Sequence, residues 1–263
     1  MRMGYRVGGR GTPLVLITGR SATMADWDPR LLSQLAIGHR LVVFDNRGAG
    51  TTDNPSRKRM TIGQLAADTL GLMTRLRIER ADVLGWSMGG MIAQQVTIDA
   101  PRRVIRLVLC ATTPGGVHAR LPSERVQRVL DNPDLATVTL LKLSSPPSQA
   151  GLQGAVAYEY AVATQPDLVP DSFTINRATR ANQERATAQW KSANGGDYYQ
   201  LPYIQQRTLV LWGRLDDVEP PYNDRLIVSR LPHAQGRSFP DAGHDFLFQD
   251  PVAVGQVIHR FLR

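Results

Sequence analysis

A serine framed by small residues stands in Gly85-Trp86-Ser87-Met88-Gly89-Gly90, a G-x-S-x-G pattern that follows the apolar pair Val83-Leu84 and opens a helical pattern. A serine hydroxyl is a weak nucleophile until a base takes its proton. On a tight strand-to-helix turn the glycines let the backbone bend without clashes. The hydroxyl then projects at the helix N-terminus, whose free N–H groups favour a developing oxyanion. The plain alternative is a glycine-rich turn carrying an idle serine.

Five histidines could supply the base: His39, His118, His233, His244 and His259. His244 lies in Pro240-Asp241-Ala242-Gly243-His244-Asp245, between a short β run and the final helical pattern, which places it on a sharp turn at a sheet edge. His39 and His259 fall at helix ends or flanks, where a solvated imidazole is expected. His233 precedes a strand, and nothing in the sequence orients His118. The third group must be a carboxylate that holds the imidazole tautomer and steadies its charged form. Gly213-Arg214-Leu215-Asp216-Asp217-Val218-Glu219 offers three after the run Leu209–Trp212. Asp216 is the first choice and Asp217 the next, while Glu219 reads as a solvated loop residue. The chain order Ser87, Asp216, His244 is the one expected when such groups sit at strand ends of a doubly wound sheet. Two preorganised donors would complete an oxyanion hole. The backbone N–H of Met88 is one, and that of Arg20, in the loop Thr18-Gly19-Arg20-Ser21, is the other. The Arg20 side chain itself is expected to lie outward.

These groups need a scaffold. Leu14–Ile17, Leu41–Phe44, Val83-Leu84, Val104–Cys110 and Leu209–Trp212 are short continuous apolar runs, the mark of strands buried on both faces of a parallel sheet. Helical 3.6-residue spacing covers Ile62–Leu76, Met88–Ala100 and Val252–Leu262. The alternation predicts an α/β fold, a doubly wound and mostly parallel sheet covered on both faces. Residues 113–205 break the pattern: Pro, Gln, Ala and Thr are frequent and helical spacing occurs without strong strands. They predict an α-helical cap inserted before the last two strands, over a core of residues 1–112 and 206–263. Arg177, Arg180, Glu184 and Arg185 read as the outer face of one cap helix, and Leu140, Leu141, Leu143, Phe173 and Trp190 as cap packing.

The chain has 263 residues, 42% of them apolar and 21% charged, which suits a globular core and excludes a disordered tail or a coiled coil. No stretch approaches eighteen consecutive apolar residues, so no membrane span is expected. No apolar run follows the N-terminal residues, so no signal peptide is expected. The single cysteine, Cys110, excludes a disulfide framework and a multi-cysteine metal site, and points to a reducing, cytoplasmic setting. The net charge of +8 and a pI near 10.1 raise the question of nucleic acid. Residues 1–112 carry 16 basic and 8 acidic side chains, residues 113–205 carry 8 and 8, and residues 206–263 carry 7 and 7. Apart from Arg57-Lys58-Arg59 and Arg102-Arg103, the excess is scattered as single arginines. Such scatter gives weak adhesion to polyanions and no reading surface, so nucleic-acid binding is not expected.

Taken with Leu14–Arg20, Phe44-Asp45-Asn46-Arg47-Gly48-Ala49-Gly50, Gly213–Pro220 and Gly243-His244, the Gly85–Gly90 turn resembles the α/β-hydrolase superfamily, in its small cap-bearing branch. Within that branch the chain is similar to the 3-oxoadipate enol-lactonase and aclacinomycin-methylesterase-like proteins. The resemblance implies a serine nucleophile, an acyl-enzyme intermediate and no cofactor. Dehalogenases and epoxide hydrolases of this fold carry Asp at the position of Ser87, which argues against both. Two departures stand out. Thr18-Gly19 occupies a place where family members often have His-Gly, and the segment before Leu14 leaves room for one strand at most.

Three readings follow. The first is an esterase or lactonase acting on a small-molecule substrate. The second is a cofactor-free perhydrolase of the haloperoxidase-like kind. The third is a non-hydrolytic biosynthetic enzyme or binding protein on the same fold. The zero net charge of residues 113–205 gives no sign of an anionic or cationic ligand.

Overall fold

Successive side chains of the apolar runs point to opposite faces of one sheet, as the period of two requires. The computed structural model describes all residues except 55–59, 133–138, 140–142 and 166–174. Its strands are β1 (Tyr5–Gly9), β2 (Thr12–Ile17), β3 (His39–Phe44), β4 (Ala81–Trp86), β5 (Val104–Cys110), β6 (Arg207–Gly213) and β7 (Ala234–Phe239). They form a sheet in the order β1-β3-β2-β4-β5-β6-β7. All pairings are parallel except β1 with β3, where Tyr5 faces Phe44.

The described helices are α1 (Pro29–Leu35), α2 (Ile62–Arg75), α3 (Met88–Asp99), α4 (Glu124–Leu130), α5 (Gln149–Ala163), α6 (Arg177–Lys191), α7 (Pro221–Arg230), α8 (Phe246–Gln249) and α9 (Pro251–Phe261). On one face Val15, Ile17, Val42 and Val83 pack with residues of α2, α3 and α7. On the other, Leu14, Leu16, Leu84 and Leu209 pack with residues of α1, α5, α8 and α9. Each fully buried leucine contributes roughly 1.5–3 kcal/mol relative to exposure. Strand order reverses beside β2, and such a switch point opens a crevice at the carboxyl ends of the strands. The expected α/β architecture is therefore present.

Helix boundaries follow local chemistry. Thr61 caps α2 by accepting from the Gln64 amide at 3.1 Å, and Ile62, Leu65, Ala66, Leu72 and Met73 form its buried stripe. Helix α3 is buried almost all round, and Pro101 follows its end. Asp250 caps α9 through the Ala253 amide, with Pro251 in the first turn.

The N-terminal segment forms one strand, β1. It is an edge strand with Tyr5 and Val7 half exposed, so it lacks the continuous apolar run that marks its neighbours. Between β5 and β6 the described structure holds α4, α5 and α6, with the isolated bridge Ala49–Ile175. Trp190 is buried and donates from Nε1 to the Thr113 carbonyl at 3.1 Å, which is packing as expected. Leu143 packs against a small cluster of Val126, Leu130 and Val218. Leu140, Leu141 and Phe173 lie outside the described residues, as does Arg57-Lys58-Arg59.

Candidate active site

Ser87 sits between the end of β4 and the first residue of α3 with φ +57° and ψ −122°, a left-handed conformation. A side chain held there costs of order 1–3 kcal/mol, so the surroundings must fix it. Its amide donates to the Cys110 carbonyl at 2.9 Å. Its carbonyl accepts from the Gly90 amide at 2.9 Å and from the Thr112 hydroxyl at 2.8 Å. Thr112 is held in turn through its own amide, which donates to buried Asp224 of α7 at 3.1 Å. The glycines are required by space. A Cβ on Gly85 would lie 2.1 Å from the Gly89 carbonyl oxygen, and one on Gly89 would lie 2.1 Å from that of Ile17.

The loop after β7 brings His244 to this turn. Nε2 of His244 lies 2.9 Å from Oγ of Ser87, and Nδ1 lies 2.8 Å from Oδ2 of Asp216. With Asp216 accepting from Nδ1–H, Nε2 is left to accept the serine proton. Asp216 is buried at the end of β6, and its Oδ1 accepts the amides of Val218 and Glu219, both at 2.8 Å. Gly213 allows the β6 end to touch the histidine loop, since a Cβ there would meet the Gly243 oxygen at 2.1 Å. Trp86 donates from Nε1 to the His244 carbonyl at 3.2 Å and lays its ring 5.6 Å from the imidazole. Burial disfavours the charged imidazole, but the charge and hydrogen bond of Asp216, with Asp245 and Glu219, outweigh it and hold the His244 pKa above the ordinary 6.5. Asp245 beside it is buried against this apolar surface and its pKa is pushed up to about 7.

The loop after β2 lies against the same turn. A Cβ on Gly19 would come within 3.2 Å of Ser87 Cβ, which sets Arg20 next to the serine. Where relatives often carry His-Gly, Thr18 is clasped by Asn46, whose Nδ2 reaches its hydroxyl at 3.1 Å and its carbonyl at 3.3 Å. Helix α6 holds the loop from above. Gln183 Oε1 accepts the amide of Ser21, itself left-handed at φ +57°, at 2.9 Å. Arg20 pairs with Glu184 and donates to the Leu130 carbonyl at 3.1 Å. The Arg20 side chain thus turns inward, against the outward position expected. Of the four residues expected on an outer face, Arg177 and Arg185 are exposed, Arg185 at the rim of the cavity described below, whereas Arg180 and Glu184 are half-buried and border that cavity. Charged side chains on a helix usually mark water, but here the stripe 180, 184, 187, 191 faces the site.

Glu219 is not the solvated loop residue expected: it is 3% exposed and pairs with Lys191, the last residue of α6. Asp217 is exposed, so the fold brings Asp216 and not its neighbour to His244. Among the other histidines, His39 is buried with Nε2 3.7 Å from Asp82, not solvated. His118 pairs with Tyr199 at 3.0 Å, and His233 is exposed. The helical spacing of Gln183, Glu184 and Lys191 was the available signal for their shared face, but no periodicity tells which way a polar stripe turns.

Above Ser87 opens a cavity of about 530 Å³, walled by Trp86, Tyr158, Val162 and Phe248 and reached by His244. That is the size of a small-molecule site. Tyr158 stacks on Phe248 with ring centres 4.8 Å apart and donates to the Asp26 carbonyl at 2.9 Å, tying α5 to the core. Among the described residues no cluster of three or more His, Cys, Asp or Glu side chains could hold a metal ion. Among them, too, no helix is long and apolar enough to cross a membrane.

The comparisons with known proteins agree with this fold. A family model described as the alpha/beta hydrolase fold matches residues 12–251. A chain of Mycobacterium tuberculosis (strain H37Rv) named "Putative non-heme bromoperoxidase BpoC" is 29% identical over 284 residues, covering 99% of this chain and 97% of its own. The crystal structure carrying that name superposes with a TM-score of 0.79 at 27% identity, over 100% of this chain and 96% of that one. A pimeloyl-[acyl-carrier protein] methyl ester esterase of Photobacterium profundum is 25% identical over 271 residues, covering 98% of each chain. The enol-lactonase of Burkholderia xenovorans LB400 shares the fold with a TM-score of 0.78 at 22% identity, over 99% of this chain and 96% of that one. With its family model spanning nearly the whole sheet and its strand-end loops, the chain belongs to the α/β-hydrolase fold family.

Proposed function

We propose that this protein hydrolyses carboxylic esters or lactones through an acyl-enzyme on Ser87. One observation carries the reading: Ser87 Oγ, His244 Nε2, His244 Nδ1 and Asp216 Oδ2 form a continuous relay with separations of 2.9 and 2.8 Å. Ser87 Oγ attacks the acyl carbonyl carbon while its proton passes to His244 Nε2. The carbonyl electron pair moves to oxygen, which the amides of Arg20 and Met88 receive. Collapse expels the alkoxide, which takes the proton from Nε2. Water then attacks the acyl-enzyme, giving its proton to Nε2, and the acid leaves as Ser87 Oγ is reprotonated. Asp216 steadies the imidazolium throughout. Residues 113–205 serve as the cap over a core of 1–112 and 206–263, since α5 and α6 wall the cavity. The substrate is a small molecule, no cofactor takes part, and the buried lone Cys110 suits a reducing, cytoplasmic setting.

Intact-mass labelling with a fluorophosphonate tests this. A single adduct on the wild-type chain, absent from Ser87→Ala, is expected. An unlabelled wild-type chain would remove the proposal. A second reading draws on the bromoperoxidase name of one relative: hydrogen peroxide replaces water in deacylation, giving a peracid and free Ser87. Bromide oxidation that depends on both peroxide and a carboxylic acid would distinguish it.

A further inference from the structure

A second cavity, of about 220 Å³, also opens on Ser87. Arg20, Ser87, Leu130, Glu184 and Val218 border both spaces, so the serine lies at a junction with the Arg20–Glu184 pair at its side. The two lobes differ in which reacting groups they contain. Among the described residues, His244 lines only the larger, and Met88, whose amide is assigned to the oxyanion, lines only the smaller.

The tetrahedral intermediate proposed above carries four substituents on its central carbon: Ser87 Oγ, the oxyanion, the leaving oxygen and the acyl chain. The leaving oxygen must meet Nε2 of His244 to receive its proton, so it points into the larger lobe. The oxyanion turns to the Met88 and Arg20 amides. The remaining direction, for the acyl chain, is the smaller lobe, lined by Met91, Leu121, Leu130 and Val218 and bordered by the Lys191–Glu219 pair.

We infer that the substrates are esters of a small acyl group with a bulky, largely apolar alcohol, the acyl group lying in the smaller lobe and the alcohol against Trp86, Tyr158 and Phe248. This rests on the hydrolase reading above. A large acyl chain would press on the buried Lys191–Glu219 pair, where desolvated charges find no partner in a hydrocarbon. The larger lobe instead offers aromatic walls that an aryl or alkyl alcohol covers well.

Isomeric esters separate size from orientation. 2-Phenylethyl acetate and methyl 3-phenylpropanoate contain the same atoms with the bulk on opposite sides of the carbonyl. The acetate should have the higher kcat/KM, by about tenfold or more. Two variants at exposed helix positions cross-check the lobes. Ala188→Phe, in the smaller lobe, should depress turnover of p-nitrophenyl butyrate more than of p-nitrophenyl acetate. Ala163→Phe, in the larger, should depress 2-phenylethyl acetate more than methyl acetate. The labelling rate of Ser87 by p-nitrophenyl alkylphosphonates, whose alkyl group takes the acyl place, should fall as that group lengthens, and it reads out even where no ester turns over. Equal or reversed isomer preference, or labelling that speeds up with chain length, overturns the orientation while a Ser87 adduct leaves the hydrolase reading standing. No adduct and no turnover would remove both.

Discussion

Asp216 holds His244 through one carboxylate oxygen while the chain holds Asp216 through the other. Oδ2 lies 2.8 Å from Nδ1 of the imidazole, and Oδ1 takes the amides of Val218 and Glu219. The carboxylate therefore cannot swing away without leaving two buried N–H groups unpaired, a cost of roughly 1–3 kcal/mol each. The imidazole is aimed at Ser87 before any substrate arrives.

Asp216→Asn tests that arrangement. The two amides demand an acceptor, so the Asn carbonyl oxygen stays with them and its NH2 faces Nδ1. Nδ1 must then accept, the proton moves to Nε2, and Nε2 can no longer take the serine proton. Turnover of 2-phenylethyl acetate should fall by about 10⁴-fold, with the melting temperature little changed. Activity within tenfold of wild type would contradict this role.

The pH profile should follow His244. The imidazole must be neutral to act as base, and its pKa is held above 6.5. kcat/KM for an uncharged ester should fall as pH drops through a value above 6.5. The sign for stability is opposite. A raised folded pKa means the Asp216–His244 contribution is fully present below about 6.5 and is lost as pH rises through the folded value. Replacing Asp216 by Asn should move the low-pH limb of any residual activity downward.

Asp245 should make the protein less stable as pH rises. Its folded pKa, about 7, lies above the ordinary 3.8 because burial disfavours the charge. Between those values the folded state holds a proton that the unfolded state has lost, so stability declines across about pH 4 to 7 and then levels. Asp245→Asn lacks this slope. The difference in urea midpoint between variant and wild type should grow in favour of the variant from pH 5 to pH 8.

Lys191, at the end of α6, and Glu219, in the loop after β6, form an ion pair whose side chains are 15% and 3% exposed. Lys191→Met leaves a buried carboxylate unpaired and should cost about 3 kcal/mol. Glu219→Gln added to it should recover most of that loss in a urea melt. Because Glu219 acts to raise the His244 pKa, the single variant should also shift the low-pH activity limb upward.

Gly89→Ala should lower stability by about 3 kcal/mol or more, since its Cβ would lie 2.1 Å from a backbone oxygen of β2. A guanidinium melt measures this. A near-normal midpoint would mean that α3 can move away from the sheet at little cost.

Much of this protein is written in local pattern. The short continuous apolar runs specify the central strands, and Ser87, Asp216 and His244 fall at or after strand ends because chemistry at a sheet edge needs turns there. Strand β1 carries no continuous apolar run because it is an edge strand with no fully buried residue. The inward faces of Arg20, Glu184 and Glu219 were illegible for a different reason. A charge in sequence looks solvated by default, and only a partner from a distant segment, such as Lys191 for Glu219, makes burial tolerable.

The fold class, the sharp serine turn and a ranked set of candidates for base and acid are legible in local pattern, because periodicity and turn chemistry act over a few residues. Tertiary packing set Asp216 2.8 Å from His244, turned the polar stripe of α6 onto the loop beside Ser87 and divided the space above the serine into two lobes. Those outcomes depend on where separate segments meet, 28 residues apart for Asp216 and His244 and 162 for Ser21 and Gln183, and such pair distances are set by the packing of the whole chain.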